Sequence, residues 1–333
     1  MNRRWQHCVG QFQTKLTGFA SLLAGFALII QTAGCASSRP EPLLVRRPAV
    51  PALATNAATA QNLRLVTYNI WGLPAWMTGA PSGRYPKIAR EIERLDPDVV
   101  LLQEAWTAKA RKSVPAGGNW SVARAAGQHT FFQQSGLVTL SKFPILGGGF
   151  YPFSRAAFPD RFVHKGILKV IVRLPDGDIL NIWNVHFQDG GSPELRRSQV
   201  RELSAHVRAA VDGQVADVVG GDFNCTPGDS LFCELEKAFG SSVHPRGGGT
   251  PFVTWDGLSA KPGCGETLDH IFLRTRTPLV ALQGDTRVAF TAPSLKERLS
   301  DHFGIEADLS LIPVPPTALA AQNLSVTELF PAP

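Results

Sequence analysis

The sequence predicts an α/β protein in which two β-sheets pack together and helices flank them. Three patterns indicate this fold. Apolar, β-rich segments alternate with segments of helical periodicity along most of the chain. The turn Asp176-Gly177-Asp178 joins two of the β-segments as a hairpin. Two helices lie between the strands, and together with the tight turns they favour two packed sheets with helices outside them.

The first predicted strand covers residues 63–70. A helix is predicted over residues 85–95, where Ile88 and Ile92 recur at helical spacing. A second, longer helix is predicted over residues 194–211. The other predicted strands cover residues 98–104, 136–140, 166–174, 179–187, 216–223, 267–274 and 304–311.

The composition describes an ordinary globular protein. Apolar residues make up 44% of the 333 residues and charged residues 18%, which excludes a disordered or fibrous chain. The formal net charge is +6, and three of the basic residues lie in an N-terminal segment that we expect to be removed. A mildly basic protein suits anionic phosphate substrates or membrane surfaces, and the charge does not choose between them. A dedicated nucleic-acid-binding protein would show a stronger basic stripe.

Residues 1–34 have the pattern of a signal peptide. Two arginines precede an apolar stretch over residues 16–30, which is short for a transmembrane helix. Small residues then lead to Cys35, an arrangement similar to a bacterial lipobox, in which the Cys is lipidated and becomes the mature N-terminus. Thr32 departs from the usual Leu, so simple cleavage and an uncleaved anchor stay open. We expect export from a bacterial cell, as an outer-membrane lipoprotein or periplasmic protein, with secretion as the alternative.

The rest of the chain divides into three parts. Residues 35–61 begin with the lipidated Cys, are rich in Pro and Ala, and predict a tether that holds a domain off a membrane. Residues 62–312 form the predicted globular domain, and residues 313–333 a loosely ordered tail. We expect the protein to be a monomer.

The cysteines allow at most one disulfide bond within the chain, and the sequence does not decide which two residues would form it. Once the signal segment and Cys35 are set aside, Cys225, Cys233 and Cys264 remain, and three thiols cannot all pair within the chain. An oxidising periplasm would permit one bridge among them. Their spacing fits no zinc signature, so we interpret them as structural residues.

Polar residues close most of the predicted strands. A side chain at the end of a buried strand is held rigidly while its head group can still reach solvent. Carboxylates, amides and imidazoles placed in this way are what a metal-assisted phosphodiesterase needs. An unpaired carboxylate at such a position would otherwise be costly. The residues at strand ends are Asn69, Glu104, His186, Asp222 and Asn224, and Asp269, Asp301 and His302 complete the set.

The order and identity of these clusters resemble the endonuclease/exonuclease/phosphatase superfamily, which includes pancreatic deoxyribonuclease, abasic-site endonucleases, inositol phosphatases and neutral sphingomyelinases. The resemblance extends from about Leu63 to Leu309. A single tripeptide such as Ser300-Asp301-His302 occurs by chance in many proteins, whereas six clusters in the family's order are far more specific. The resemblance implies a four-layer αββα sandwich of two mainly antiparallel sheets flanked by helices.

The resemblance assigns a metal site to Glu104 and Asn69, which match the family's metal-binding Glu and Asn. Carboxylate and amide oxygens suit a hard divalent cation, with Mg²⁺ preferred and Mn²⁺ or Co²⁺ as substitutes. Asp301 is a further candidate for contact with the metal or with water. A turn-stabilising role is the alternative for Asn69.

The catalytic roles follow from the same match. His302 is the candidate general base, and Asp269 matches the family residue that orients this histidine. His186 is expected to donate to the phosphoryl oxygens as charge builds there. Asp222 and Asn224 are two residues apart and share a face if their strand stays extended. Asp222 would then contact the water or the leaving group, and Asn224 a phosphoryl oxygen.

One further pair of charged residues indicates the class of substrate. Asp160 and Lys165 resemble the functionally coupled Asp/Lys pair of neutral sphingomyelinases, and residues 69–74 are similar to the same branch. Phe187 is a departure, because bacterial sphingomyelinases usually have His-Thr-Gln where this chain has His-Phe-Gln. A plain surface ion pair, worth about 1 kcal/mol or less, is the alternative for Asp160 and Lys165.

The sequence therefore predicts a Mg²⁺-dependent sphingomyelin phosphodiesterase of the phospholipase C type. It would release phosphocholine and ceramide from a phospholipid substrate at a membrane surface. Nucleic acid is the alternative substrate, because nucleases and other phosphodiesterases or phosphatases share the implied fold. A non-catalytic lipoprotein module is the second alternative.

Overall fold

The fold is described from a computed structural model of the chain. The structure describes residues 40–47, 61–78, 80, 82–115, 119–126, 134–210, 215–243, 253–258, 265–277, 280–292 and 297–313. These residues contain twelve β-strands and four α-helices. The strands are β1 (Leu43–Arg46), β2 (Gln61–Asn69), β3 (Val99–Gln103), β4 (Ser121–Ala125), β5 (Val138–Ser141), β6 (Ile145–Pro152), β7 (Gly166–Arg173), β8 (Ile179–His186), β9 (Ala216–Asp222), β10 (Asp269–Thr275), β11 (Val280–Ala289) and β12 (Gly304–Pro313). The helices are α1 (Ala75–Thr78), α2 (Tyr85–Leu95), α3 (Pro193–Arg208) and α4 (Ser230–Phe239).

The strands form two sheets. In the described ranges one sheet has seven strands in the order β1-β4-β5-β3-β2-β12-β11, and the other has five in the order β10-β9-β8-β7-β6. Neighbouring strands run antiparallel except for β2 with β3 and β8 with β9, which run parallel. The prediction of two mainly antiparallel sheets is therefore confirmed.

The two sheets bury one face each against the other. Leu65 and Leu101 of the seven-stranded sheet lie in the same buried apolar cluster as Ile182 and Val218 of the five-stranded sheet. Successive residues of a strand point to opposite faces, so the apolar neighbours of these residues face outward and need a second cover. In β3 all five residues, Val99–Gln103, are buried, so both faces of this strand are covered.

Amphipathic helices supply the outer cover. Ile88 and Ile92 of α2 pack on the outer face of the seven-stranded sheet. Val200 of α3 and Leu235 of α4 pack with Phe272 of β10 on the outer face of the five-stranded sheet. The layer order helix, sheet, sheet, helix confirms the predicted four-layer αββα sandwich.

The two long helices begin and end close to their predicted positions. α2 covers Tyr85–Leu95 as predicted and has Pro in its first turn. α3 begins at Pro193, and the Ser192 side chain caps it by accepting the Leu195 N–H at 3.2 Å. α3 ends at Arg208, three residues before the predicted end at residue 211.

The structure corrects the predicted tether. Part of residues 35–61 is strand β1 (Leu43–Arg46), which pairs with β4 at the edge of the seven-stranded sheet. Leu43 and Val45 alternate with exposed neighbours and pack against the core between the sheets, which explains the pairing. Glu41 also exchanges two backbone hydrogen bonds with Phe150 of β6. The sequence patterns likewise miss β4, β6, β11 and α4.

Several predicted features lie outside the described residues. These are the signal segment at residues 1–34, Cys35, Cys264 and the tail beyond residue 313. In the part of the chain that the structure describes, no helix combines the length and apolar composition needed to cross a membrane. Cys225 is buried, Cys233 is exposed, and both are free thiols.

Leu101→Ala should lower the free energy of unfolding by about 2–5 kcal/mol, because the substitution leaves a cavity in the layer between the sheets. Leu146→Ala is the matched control. Leu146 is 39% exposed in β6, and its truncation should change stability by less than about 0.5 kcal/mol. Urea unfolding of both variants measures the difference, and equal losses would show that the buried layer is not what stabilises the fold.

Candidate active site

Strand pairing places three of the predicted residues side by side in the five-stranded sheet. β8 and β9 run parallel, so their last residues, His186 and Asp222, are register partners. β10 runs antiparallel to β9 and begins at Asp269, directly opposite Asp222. Asp222 therefore lies between a histidine and a second carboxylate at one edge of the sheet. All three side chains are buried.

The seven-stranded sheet supplies Asn69 and Glu104. Asn69 ends β2, and Glu104 directly follows the parallel neighbour β3. Glu104 has a left-handed backbone with φ of 60°, and a Cβ built on Gly72 would lie 1.9 Å from the Glu104 carbonyl oxygen. Only glycine permits that close approach. The turn after β2 and the turn after β3 are thus packed directly against each other.

Asn69 links the two sheets through its amide group. Its Nδ2 donates to Glu104 Oε1 at 3.1 Å and to Asp222 Oδ2 at 2.9 Å. Its Oδ1 accepts the backbone N–H of Trp71 at 3.0 Å. In this orientation Asn69 stabilises the turn after β2 and holds two carboxylates together. The role of Asn69 as a metal ligand stays a prediction.

His302 lies against Asp269. His302 Nδ1 is 2.9 Å from Asp269 Oδ2, and because the carboxylate accepts, Nδ1 carries the proton in this contact. His302 Nε2 faces Asp222 and is 3.8 Å from its Oδ2. The contact expected between Asp269 and His302 is therefore present, and Nε2 is the nitrogen available for proton transfer.

The charges of this cluster depend on one another. Burial and then the charge of Asp269 raise the pKa of Asp222 to about 7. Burial opposes the charged form of His302, but the nearby carboxylates of Asp269 and Asp222 outweigh it and raise the pKa of His302 to about 10. An imidazole with this pKa is protonated at neutral pH. A bound divalent cation would lower it, and a role for His302 as a base requires that shift.

His186 is neutral in the same surroundings. Burial, together with the positive charges of Lys165 and His302, lowers the pKa of His186 well below its usual value. Its Nε2 is 3.6 Å from Asp222 Oδ2, and its buried Nδ1 has no hydrogen-bond partner among the described residues. A neutral imidazole still has one N–H to donate, which is compatible with the predicted contact to a phosphoryl oxygen.

Glu104 and Asp301 form an acidic pair. Burial and then the charge of Asp301 raise the pKa of Glu104, and burial raises the pKa of Asp301. Both residues are half-buried. Half-buried carboxylates that repel each other are a donor set that a hard divalent cation stabilises. These two residues could therefore hold a hard divalent cation through oxygen. Asp222, Asp269 and His302 also present ligand atoms within 4.8 Å of one another. His302 Nδ1 and Asp269 Oδ2 are joined by the hydrogen bond described above.

The expected extended geometry is wrong at Asn224. β9 ends at Asp222, and Asn224 has a left-handed backbone with φ of 48°. Its backbone N–H donates to Asp222 Oδ1 at 3.0 Å, and its Nδ2 donates to the Phe187 carbonyl oxygen at 3.0 Å. Phe223 between them packs in the core under the helices. Asn224 thus joins the ends of β8 and β9, and its contact with a phosphoryl oxygen stays a prediction.

Asp160 and Lys165 lie beside this cluster and are enclosed. Lys165 Nζ is 2.7 Å from Asp160 Oδ2, and the two side chains are only 6% and 12% exposed. Lys165 Nζ also donates to the Phe187 carbonyl oxygen at 3.1 Å, the same atom that Asn224 contacts. Burial opposes the charged ammonium, but Asp160 and then Asp189 raise the pKa of Lys165, which is therefore charged. The surface ion pair considered as the alternative does not describe this arrangement.

Three residues that the sequence reasoning missed complete the site. Trp106 Nε1 donates to Glu104 Oε2 at 3.4 Å. Ser300 Oγ accepts the backbone N–H of His302 at 3.3 Å. The side chain of Trp255 hydrogen-bonds to the carboxylate of Asp301. Proximity in sequence to predicted site residues could have indicated Trp106 and Ser300, whereas Trp255 reaches the site through a distant loop that has no such signal.

A protein-family model matches this part of the chain. The model, described as the Endonuclease/Exonuclease/phosphatase family, matches residues 66–302, which is more than half of the chain. The chain belongs to the Endonuclease/Exonuclease/phosphatase family. This confirms the family indicated by the order of the strand-end residues, and the matched region contains all of the site residues described above.

Two curated relatives of this Endonuclease/Exonuclease/phosphatase protein carry sphingolipid names. The inositol phosphosphingolipids phospholipase C of Schizosaccharomyces pombe is 26% identical over 304 residues, which cover 77% of this chain and 70% of the relative. A candidate neutral sphingomyelinase of Drosophila melanogaster is 24% identical over 277 residues, which cover 76% of this chain and 62% of the relative. The aligned region is thus less than two thirds of the Drosophila relative.

Solved structures are similar to this family member at low sequence identity. SmcL has a TM-score of 0.59 at 19% identity, covering 74% of this chain and 98% of that chain. A beta toxin mutant from Staphylococcus aureus with bound magnesium ions has a TM-score of 0.55 at 19% identity, covering 74% and 99%. TDP2 of D. rerio with a single-strand DNA product has a TM-score of 0.58 at 17% identity, covering 74% and 98%. These similarities show the shared fold.

Asp269→Asn should lower phosphodiester turnover by at least about 10²-fold, because an amide at this position can hold the wrong tautomer of His302. His302→Ala should lower it by about 10²–10⁴-fold. Asp308→Asn is the matched control, because Asp308 is 51% exposed in β12 and should leave turnover unchanged. Hydrolysis of bis-p-nitrophenyl phosphate per folded molecule measures all three. A mild loss for Asp269→Asn together with a severe loss for Asp301→Asn would mean that Asp301, and not Asp269, orients His302.

Proposed function

We propose that this chain is a Mg²⁺-dependent sphingomyelin phosphodiesterase of the phospholipase C type, which releases phosphocholine and ceramide. The observation that carries the proposal is the enclosed ion pair of Asp160 and Lys165 beside the strand-end cluster. The sequence at this pair resembles neutral sphingomyelinases. The two relatives with sphingolipid names, each aligned over about three quarters of the chain, support the same class of substrate.

The cluster contains the groups that hydrolysis of a phosphodiester requires. Water attacks phosphorus, the bond from phosphorus to the ceramide oxygen breaks, and negative charge builds on the phosphoryl oxygens. His302 Nε2, in its neutral form, would accept a proton from the attacking water, while Asp269 at 2.9 Å from Nδ1 stabilises the imidazolium. Asp222, whose pKa is raised to about 7, would give a proton to the leaving ceramide oxygen. Neutral His186 would donate its N–H to a phosphoryl oxygen. A Mg²⁺ ion held by Glu104 would act as a Lewis acid on the same charge.

Lys165 would add a fixed positive charge next to these groups. Its ammonium interacts with the charges of Glu104 and Asp222 and contributes to the lowered pKa of His186. Because the side chain is only 6% exposed, water screens its charge less than that of a surface lysine. This position allows Lys165 to stabilise charge on a bound phosphodiester, with Asp160 holding the ammonium in place.

The substrate and the metal can be tested in one experiment. The full chain should release phosphocholine from sphingomyelin vesicles with Mg²⁺, lose this activity in EDTA, and recover it with Mg²⁺ or Mn²⁺, because Glu104 offers only oxygen ligands. Plasmid nicking under the same conditions is the comparison. Full activity in excess EDTA would remove the metal from the proposal. Nicking of plasmid without phosphocholine release would identify a nuclease instead.

Lys165→Ala should lower phosphocholine release by about 10²-fold, because the enclosed positive charge that would stabilise the reacting phosphodiester is lost. The matched control is Lys142→Ala. Lys142 forms an equally short ion pair with Asp96, at 2.6 Å, but the two side chains are 29% and 74% exposed. Lys142→Ala should keep the melting temperature close to that of the wild type, whereas Lys165→Ala should lower it, because Asp160 loses its partner in an enclosed position. Rates are therefore compared per folded molecule. Equal rates for the two variants would place Lys165 outside catalysis and substrate positioning.

A further inference from the structure

A buried arginine that takes no part in the proposed chemistry connects two sides of the site. Arg84 directly precedes α2 and is 5% exposed. Its Nη1 donates to the carbonyl oxygens of Ile70 at 2.5 Å and Leu299 at 2.6 Å. Its Nη2 donates to the carbonyl oxygen of Trp71 and to the Tyr85 hydroxyl, the latter at 3.1 Å. One guanidinium therefore binds three carbonyls from two segments that are far apart in sequence.

The first of these segments controls Asn69. Ile70 and Trp71 directly follow Asn69, and the Trp71 N–H donates to Asn69 Oδ1 at 3.0 Å. Trp71 has a φ of 47°, a left-handed conformation that is uncommon for a bulky residue and needs support from its surroundings. The Arg84 guanidinium provides that support, because it binds the Trp71 carbonyl and lies 5.6 Å from the centre of the Trp71 ring. Arg84 thus supports the turn whose Trp71 N–H donates to the Asn69 amide.

The second segment leads to His302. Leu299, whose carbonyl oxygen accepts from Arg84, directly precedes Ser300. Ser300 Oγ donates to the Asn69 carbonyl oxygen at 2.8 Å and accepts the His302 N–H at 3.3 Å. The chain that carries the imidazole is therefore fixed to the end of β2 at two points, the Arg84 guanidinium and the Ser300 hydroxyl.

We infer that Arg84 is a positioning residue that sets the distance between the Asn69 side and the His302 side of the site. A planar guanidinium has five donors in a fixed arrangement and can bind several carbonyls at once, whereas an ammonium is a point charge that cannot reproduce this geometry. Arg84 contacts none of the groups assigned to chemistry, so its effect on rate would act through the two segments. The rate part of this inference rests on the proposed function, and the structural part does not.

Arg276 is a matched control in the same protein. Its guanidinium is also enclosed, with 13% of the side chain exposed, and its Nε is 2.7 Å from Asp217 Oδ2. It donates to the carbonyl oxygens of Ala210, at 3.3 Å, and Val207. Arg276 directly follows the last residue of β10, and the carbonyls that it binds lie at the C-terminal end of α3. The site lies at the opposite end of β10, where the strand begins.

The test compares Arg84→Lys with Arg276→Lys in the full chain. Amide hydrogen exchange should accelerate in residues 69–73 and 299–302 of Arg84→Lys, because both segments lose their shared donor. Phosphocholine release with Mg²⁺ should fall by about 10²-fold in kcat, the effect of a small misplacement of reacting groups, with KM little changed. Arg276→Lys should accelerate exchange near residues 207–210 and lower the melting temperature, with kcat unchanged.

Unchanged exchange in either site segment of Arg84→Lys, or an unchanged kcat, overturns the inference. If the wild type releases no phosphocholine, the proposed function fails, but the inference about Arg84 can still be tested. Amide hydrogen exchange and the hydrolysis of bis-p-nitrophenyl phosphate are then the two measurements. If neither substrate is hydrolysed, the exchange result alone decides. Should Arg84→Lys fail to fold, Tyr85→Phe removes one contact of the guanidinium and should accelerate exchange in the same two segments to a smaller extent. No change in that variant would also overturn the inference.

Discussion

The hydrogen bond from Asn69 Nδ2 to Asp222 Oδ2, at 2.9 Å, connects the end of a strand in one sheet to the end of a strand in the other. The apolar layer between the sheets is large but non-directional, so it does not by itself determine which polar side chains meet at the strand ends. A buried amide and a buried carboxylate must satisfy each other at one geometry. The distances among the site residues depend on this contact, because Asp222 is paired in register with His186 and Asp269.

Charge compensation is the second constraint on this site. Several carboxylates lie close together at this site, and burial raises the pKa of Glu104, Asp222 and Asp301. Neighbouring negative charge raises the pKa of Glu104 and Asp222 further. The protonated His302 and the charged Lys165 offset part of this negative charge. The same two positive charges add to the burial that keeps His186 neutral. A cation bound at Glu104 would neutralise more of the negative charge. It would also lower the pKa of His302 and so favour the neutral imidazole.

The sequence predicted the elements whose periodicity is strong. α2 has its predicted bounds because Ile88 and Ile92 repeat at helical spacing on one face. The sequence did not reveal β1. This strand has only four residues, lies in a segment rich in Pro and Ala, and becomes stable only by pairing with β4. The contact between Asp269 and His302, 33 residues apart, came from a family resemblance, since no spacing rule links them. Arg84 was missed because its importance lies in the backbone carbonyls that it binds, which no residue pattern encodes.

The position of β1 changes the reach expected of the N-terminal segment. Glu41 is already bound to β6, and Leu43–Arg46 continues along β4, so this segment crosses from the edge of one sheet to the edge of the other. A lipid on Cys35, as the sequence predicts, would then be separated from the folded domain by only a few residues, which span at most about 20 Å when fully extended. A tether of that length would restrict how the domain can be oriented, because residues 41–46 are held at the edges of both sheets.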